Sequence, residues 1–244
     1  MSGALLDGLQ ALAALLPAYL LGAVPFGLLI AKSRGVDLRN SGSKNIGATN
    51  VFRCVGAKWG ILAFTLDMLK GVGGVYCALL PGLLGLWETP PHAQALLLRL
   101  LCGTAAMLGH IFPVYLRFKG GKGVATALGL LFGVAPLAGF IGFAGWALIF
   151  LISRYVSLAS CLAAAIVAAT VCSPLYPYAG EARYPVWFRV LITLLAVLAV
   201  VKHRQNIRRL LQGTENRFAF TAAQRAAREA QRAAAAAAQQ EGNQ

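Results

Sequence analysis

Three short polar segments hold the residues of this chain that can do chemistry. The first runs from Asn40 through Ser41, Gly42, Ser43, Lys44, Asn45, Gly47, Thr49 and Asn50 to Arg53. Its small residues allow tight turns with exposed backbone N–H groups. Its hydroxyls and amides hydrogen-bond without charge, and Arg53 can clamp a phosphate or carboxylate through two parallel bonds. The second is Phe118-Lys119-Gly120-Gly121-Lys122-Gly123, followed directly by an apolar helix from Val124. Glycines let backbone wrap an anion, a helix N-terminus offers unpaired N–H groups, and Lys122 adds charge. The spacing is not that of a Walker A loop. The third runs from His203 to Glu215, with His203 and Asn206 three apart on one helical face. Each segment also has a plain reading. The first fits an ordinary interhelix loop, the second a flexible basic turn, and the third an amphipathic membrane anchor.

The surrounding elements are apolar. Of the 244 residues 58% are hydrophobic and 12% charged, with a mean hydropathy of +0.67. A soluble domain carries about one quarter charged residues, so this composition points to lipid as part of the solvent. Apolar runs at about Leu9–Ala31, Trp59–Leu80, Ala95–Ile111, Val124–Val134, Pro136–Ile152, Ser157–Val171 and Pro185–His203 predict an all-α integral membrane protein with seven transmembrane helices. The stretch from Val124 to Ser153 would be about 45 Å long as one helix, too long for one crossing, and Pro136 divides it. Seven spans gather eighteen of the 22 Lys and Arg residues on one side. The positive-inside bias then sets a periplasmic N-terminus, a cytoplasmic C-terminus and all three polar segments facing the cytoplasm. The formal charge of +14 suits anionic headgroups and phosphate-bearing substrates rather than nucleic acid. The first helix is read as retained rather than cleaved, because no cation precedes Lys32.

Smaller features complete the sequence. Asp67 and Lys70 lie three apart inside the second span and are expected to pair, chiefly structurally. Ser157 and Ser160 open the sixth span, where capping is the commoner role for a hydroxyl. The five cysteines read as small apolar helix residues rather than disulfides. Residues 1–218 form one polytopic domain, and the Ala/Gln/Arg-rich tail 219–244 reads as a frayed helix or a disordered segment.

Four strings together resemble the bacterial acyl-phosphate-dependent glycerol-3-phosphate acyltransferases, the PlsY type. They are GSKNIGATNVFR at 42–53, GHIFPVYLRFKGGKGVAT at 109–126, RYVSLAS at 154–160 and HRQNIRRLLQGTE at 203–215. The resemblance implies a seven-helix enzyme of the bacterial inner membrane with a cytoplasmic active site. It implies transfer of a fatty acyl group from acyl phosphate to the 1-hydroxyl of glycerol 3-phosphate. Lysophosphatidic acid and inorganic phosphate would be the products, as a step of phospholipid synthesis. It implies no cofactor and no metal. Membrane lipid and the enzyme that makes acyl phosphate are the expected partners, and nucleic acid is not one. The family's important polar residues fall on Ser43, Arg53, Lys122, Ser160, His203 and Asn206 as catalytic groups. Gly120, Gly121 and Gly123 fall in its phosphate-binding loop, and by their own amides and hydroxyl Asn45, Asn50 and Thr49 are expected to bind substrate or phosphate. Glu215 falls on a carboxylate that maintains integrity. Lys44 departs from the family, which often has Gly there.

Two phosphate-bearing reactants demand cations and N–H donors at close range, which the first two segments supply. Acyl phosphate carries its own leaving group, so positioning and electrostatics suffice without an enzyme nucleophile. The proton of the attacking hydroxyl has two candidate acceptors, His203 and a substrate phosphate. Two other classes fit parts of the sequence: a transporter of phosphorylated solutes and a scaffold binding anionic lipid.

Overall fold

The computed structural model describes residues 3–85, 92–176 and 184–219. Among them every regular element is a helix. α1 (Gly3–Ala23) and α2 (Phe26–Ser33) are followed by α3 (Ala48–Cys54) and α4 (Ala57–Tyr76). A 3₁₀ turn leads to the short α5 (Leu80–Leu83), then to α6 (His92–Ile111) and α7 (Val124–Val134). α8 (Pro136–Ser153), α9 (Val156–Cys172), α10 (Val186–Lys202) and α11 (Arg204–Leu211) complete the bundle. Residues 220–244, which hold the predicted tail with Arg225, Arg228 and Arg232, lie outside the described residues, as does Arg183.

Among the described residues four helical stretches are long and apolar enough to cross a membrane: Ala11–Ser33, Ala57–Leu83, Gln94–Leu116 and Pro136–Ser153. α10 and α11 together make a fifth, bent by 56°. α7 and α9 are apolar but shorter. With 11 residues, α7 is only about 16 Å long, roughly half a hydrocarbon core. The large apolar side chains left exposed, such as Leu16, Ile61, Phe140, Leu148 and Leu194, sit on the outside of these helices. A helix apolar on its outer face needs lipid rather than water there.

Prolines set two breaks. Pro136 begins α8 as its sequence position predicts, so α7 and α8 are separate helices. The first predicted span is also divided. α1 ends at Ala23 and α2 starts at Phe26, because Pro25 has no N–H to continue the ladder. The carbonyl of Val24 at this break accepts a bond of 2.8 Å from the Lys70 ammonium. Lys70 also pairs with Asp67 at 2.8 Å, as expected, and both are buried. All five cysteines are free thiols.

Tight helix contacts use small residues. A side-chain carbon at Gly71 would collide with the backbone of Thr126, and one at Gly129 with the Met68 carbonyl. α4 and α7 therefore meet backbone to backbone, the close approach that small residues allow in membranes. The short α7 is thereby seated in the middle of the bundle, with Leu130 and Leu131 in its core. Overpacking here should cost about 1–3 kcal/mol or more, so Gly129→Leu should lower the melting temperature of the purified protein in detergent. Leu148→Ala, on the lipid-facing side of α8, should shift it much less. Equal melting temperatures for wild type and Gly129→Leu would contradict this packing.

Candidate active site

A cavity of about 440 Å³ opens into the bundle, within the size range of small-molecule sites. α3, α4, α7, α8, α9, α10, α11 and the segment after α11 all contribute to its wall. One end is polar and cationic. The other is apolar, lined by Phe64, Leu128, Leu131, Phe143, Trp146, Ala163, Ala164, Val167, Leu195 and Ala196.

The polar end is organised around a carboxylate. Glu215 follows a turn at Gly213, whose φ of +69° suits glycine. Its side chain is only 5% exposed. Its Oε1 accepts hydrogen bonds from Asn206 Nδ2 at 2.6 Å and from Ser157 Oγ at 2.9 Å. Its Oε2 accepts one from Arg209 Nε at 2.7 Å. Asn206 Oδ1 in turn accepts a short hydrogen bond from the Lys122 ammonium. Burial pushes the Glu215 carboxyl up, but the bonds from Asn206, Arg209 and Ser157 outweigh it and hold the group below the usual carboxylate range. Burial pushes the Lys122 ammonium down to about 8, with Glu215 opposing and Arg209 and Arg53 adding to the shift. The second and third sequence segments thus meet at one end of the bundle, joined through Lys122 and Asn206.

His203 does not sit in a continuous helix with Asn206. It occupies the bend between α10 and α11, buried at 2% exposure, and both residues line the cavity. Its Nδ1 lies 2.7 Å from the Ala199 carbonyl oxygen. A carbonyl only accepts, so Nδ1 carries the hydrogen and the neutral ring offers Nε2 as an acceptor. Arg53, from α3, lines the same cavity and its Nη2 donates to the Asn216 carbonyl oxygen at 3.4 Å. Ser43, Asn45 and Thr49 line the rim. Lys44, the departure from the family pattern, is exposed, does not line the cavity and has a φ of +58°. That left-handed conformation is one that glycine adopts without strain.

Several expected binding residues have other work. The Asn50 amide is a clasp for its own loop. Its Nδ2 reaches the carbonyl oxygens of Leu38, Ser41 and Asn45 at 3.3, 3.0 and 2.9 Å, and its Oδ1 accepts from the Ser43 N–H at 2.9 Å. Asn50 also lines the cavity, and an amide with its donors and acceptor committed to backbone shapes the loop there. Gly120 and Gly121 do not line the cavity. The Gly121 N–H donates to the His110 carbonyl at 3.1 Å, and a side chain at either glycine would collide with His110. They are glycines for packing. Gly123 does line the cavity, at φ +79°, and caps α7, whose first residues Val124 and Ala125 face the same space. Ser160 is not a helix cap, since Tyr155 occupies that position. Its hydroxyl donates to the Val156 carbonyl at 2.8 Å and accepts from Trp146 Nε1 at 3.2 Å, fixing the indole over the cavity. Ser157 caps nothing either and bonds Glu215.

Other wall residues escaped the sequence reading. Arg209 lies three residues beyond Asn206, a helical spacing that could have revealed it. His110 and Asp67 line the cavity floor, with His110 Nδ1 3.6 Å from Asp67 Oδ1. Phe218 crosses back over Phe52 and Phe150, with ring centroids 4.7 and 5.2 Å away, and its N–H donates to the Arg154 carbonyl at 2.7 Å. No local pattern announces His110 or Phe218, because their contacts are distant in sequence, and Asp67 was expected only as the partner of Lys70.

Comparison with known proteins matches this arrangement to one family. The family model described as glycerol-3-phosphate acyltransferase matches residues 12–213. The glycerol-3-phosphate acyltransferase of Aquifex aeolicus is 44% identical over 210 residues, covering 86% of this chain and 100% of that protein. That of Geotalea daltonii is 46% identical over 204 residues, covering 82% and 94%. Among solved structures, the glycerol 3-phosphate form of PlsY (YgiH), an integral membrane glycerol 3-phosphate acyltransferase, aligns with a TM-score of 0.74. It is 42% identical, over 86% of this chain and 96% of that one. The lysophosphatidic acid form aligns with a TM-score of 0.71 and 40% identity. With its matched length, its multi-pass helical bundle and its cationic cavity, this chain belongs to the glycerol-3-phosphate acyltransferase family.

Proposed function

We propose that the protein transfers a fatty acyl group from acyl phosphate to the 1-hydroxyl of glycerol 3-phosphate, releasing lysophosphatidic acid and inorganic phosphate. The observation that carries this reading is the two-ended cavity. A cationic head built from Arg53, Lys122 and Arg209 continues without interruption into an apolar wing. A phosphate-headed, hydrocarbon-tailed molecule has that same division of polarity. The relatives' names point to glycerol 3-phosphate as acceptor, and the structural neighbours are described in glycerol 3-phosphate and lysophosphatidic acid forms. Their names do not specify the donor. Acyl phosphate fits because no step then needs an enzyme nucleophile or a carrier surface.

In the reaction the acceptor hydroxyl oxygen attacks the acyl carbonyl carbon. The new ester C–O bond forms and the bond from acyl carbon to phosphate oxygen breaks, with its electron pair leaving on phosphate. The charge that builds on the phosphates is met by Lys122, Arg53 and the first N–H groups of α7. Arg209 and Glu215 hold Asn206 and Lys122 in place, so little reorganisation accompanies the charge movement. His203 offers Nε2 to the glycerol hydroxyls, and a substrate phosphate takes the hydroxyl proton. Thr49, Asn45 and Ser43 hydrogen-bond at the rim, and Trp146, fixed by Ser160, walls the acyl entrance. The acyl chain lies along the apolar wing. The proposed setting is a seven-span protein of the bacterial inner membrane, N-terminus outside and C-terminus inside, with the site on the cytoplasmic face. The clustering of cationic loops at the end that holds Lys122 supports that orientation.

The direct test is purified protein in detergent given acyl phosphate and glycerol 3-phosphate. Phosphate release that requires both substrates, with lysophosphatidic acid formed in equal amount, is expected. Neither a transporter nor a lipid-binding scaffold produces it. Lys122 must be charged to hold phosphate, so kcat/KM should fall as pH rises through about 8, the value to which burial lowers its ammonium. Lys122→Arg should carry that alkaline limb upward, because a guanidinium stays charged, while Lys122→Ala should lower kcat/KM by about 10²–10³. An unmoved alkaline limb in Lys122→Arg would assign it to another group. A pH–rate profile of His203→Gln separates the proton acceptors. Substantial turnover with an unchanged acid limb is expected, and complete loss at every pH would make His203 the base.

A further inference from the structure

We propose that His110, braced by Asp67 and Lys70, is a positioning residue that sets where the Lys122 ammonium stands. The inference rests on the reading of Lys122 as a phosphate-binding group. Three ionisable side chains lie buried together at the inner side of the cavity, with Asp67 at 2%, Lys70 at 3% and His110 at 7% exposure. Burial of such groups inside an apolar bundle is costly, and a structural ion pair accounts for only two of them. His110 is left over, and its placement is specific. The Nδ1 edge of the ring faces Asp67 Oδ1 at 3.6 Å, while Lys70 holds Asp67 Oδ1 at 2.8 Å and reaches the Val24 carbonyl at the α1–α2 break.

The opposite edge of the ring faces the glycine loop. A side-chain carbon at Gly121 would fall on the His110 ring at Nε2, and one at Gly120 on the His110 carbonyl. That carbonyl also accepts the Gly121 N–H at 3.1 Å. The loop thus meets His110 twice, packed against its ring and hydrogen-bonded to its backbone carbonyl, at the residue that immediately precedes Lys122. α4 and α6 thereby fix the root of Lys122, while Asn206 and Glu215 fix its tip. With the ring facing Asp67 at one edge and packed against Gly121 at the other, His110 acts on Lys122 through the loop. Two glycines in succession follow from the same packing, since only glycine leaves room for the ring.

The experiment uses the full-length protein in detergent, with His110→Ala, Asp67→Asn, Lys122→Met and the double variant His110→Ala/Lys122→Met. Two readouts are taken: affinity for inorganic phosphate by calorimetry, and kcat and KM for acyl transfer. Helix content by circular dichroism and elution volume gauge folding. His110→Ala should weaken phosphate binding and raise KM, with kcat/KM reduced about 10- to 100-fold by a small misplacement of the cation. Asp67→Asn should do the same more weakly. In the Lys122→Met background His110→Ala should cost less than about twofold further, because residues acting through one another are not additive. His110→Ala that lowers only the folded fraction, with KM and phosphate affinity of the folded protein unchanged, would overturn the proposal. So would full additivity with Lys122→Met. If His110→Ala does not fold, Asp67→Asn decides by the same two criteria. A wild type that binds phosphate but transfers no acyl group would defeat the proposed reaction alone, and the phosphate arm would still judge His110.

Discussion

Holding several cations together in a space with little water is the constraint on which this structure depends. Arg53, Lys122 and Arg209 all line one cavity, and like charges at short range repel more strongly as solvent is removed. Glu215 answers this with one buried carboxylate that accepts from Asn206, Ser157 and Arg209 at once. Through Asn206 it also reaches Lys122. The last turn of the bundle and the segment after it are therefore part of the site rather than a trailing anchor. Without the carboxylate, the two amide and hydroxyl donors would lose their acceptor and the cations their counter-charge.

A membrane bundle also has to make room. Lipid gives helices no hydrophobic reason to associate, so contact between them relies on close backbone approach and on polar links. The α4–α7 contact through Gly71 and Gly129 is of the first kind, and Lys70 with Asp67 and the Val24 carbonyl is of the second. These same contacts seat the short α7 inside the bundle with its N-terminus toward the cationic end of the cavity. At 11 residues the helix is about half as long as the hydrocarbon core is thick. Its first residues line the cavity beside Lys122.

Much of the cavity's polar lining was legible from local pattern. Lys122 after two glycines and ahead of a helix is a signature that elementary electrostatics can interpret, as is Arg53 at the end of a run of amides and hydroxyls. The roles of neighbours were less legible. Asn50 and Gly121 sit inside those same strings, yet the amide clasps three carbonyls of its own loop and the glycine packs under His110. A polar or small residue within a binding motif serves the ligand or the loop, and spacing alone does not separate the two. Ser160 shows the same ambiguity, its hydroxyl being engaged with Val156 and Trp146.

The sequence by itself determined the helical, lipid-facing character of the chain, the break at Pro136 and the three segments that carry the polar groups. Those features follow from hydropathy and from backbone chemistry acting within a turn or two, so no long-range knowledge is needed to read them. Only the tertiary structure decided that α10 bends at His203, that Glu215 joins Lys122 to Arg209, and that His110 lies beneath the glycine loop. Each of these joins residues far apart in the chain or depends on what packs beside a helix end. Such pairings are selected by the packing of the whole bundle, which leaves no periodic trace in the order of the residues.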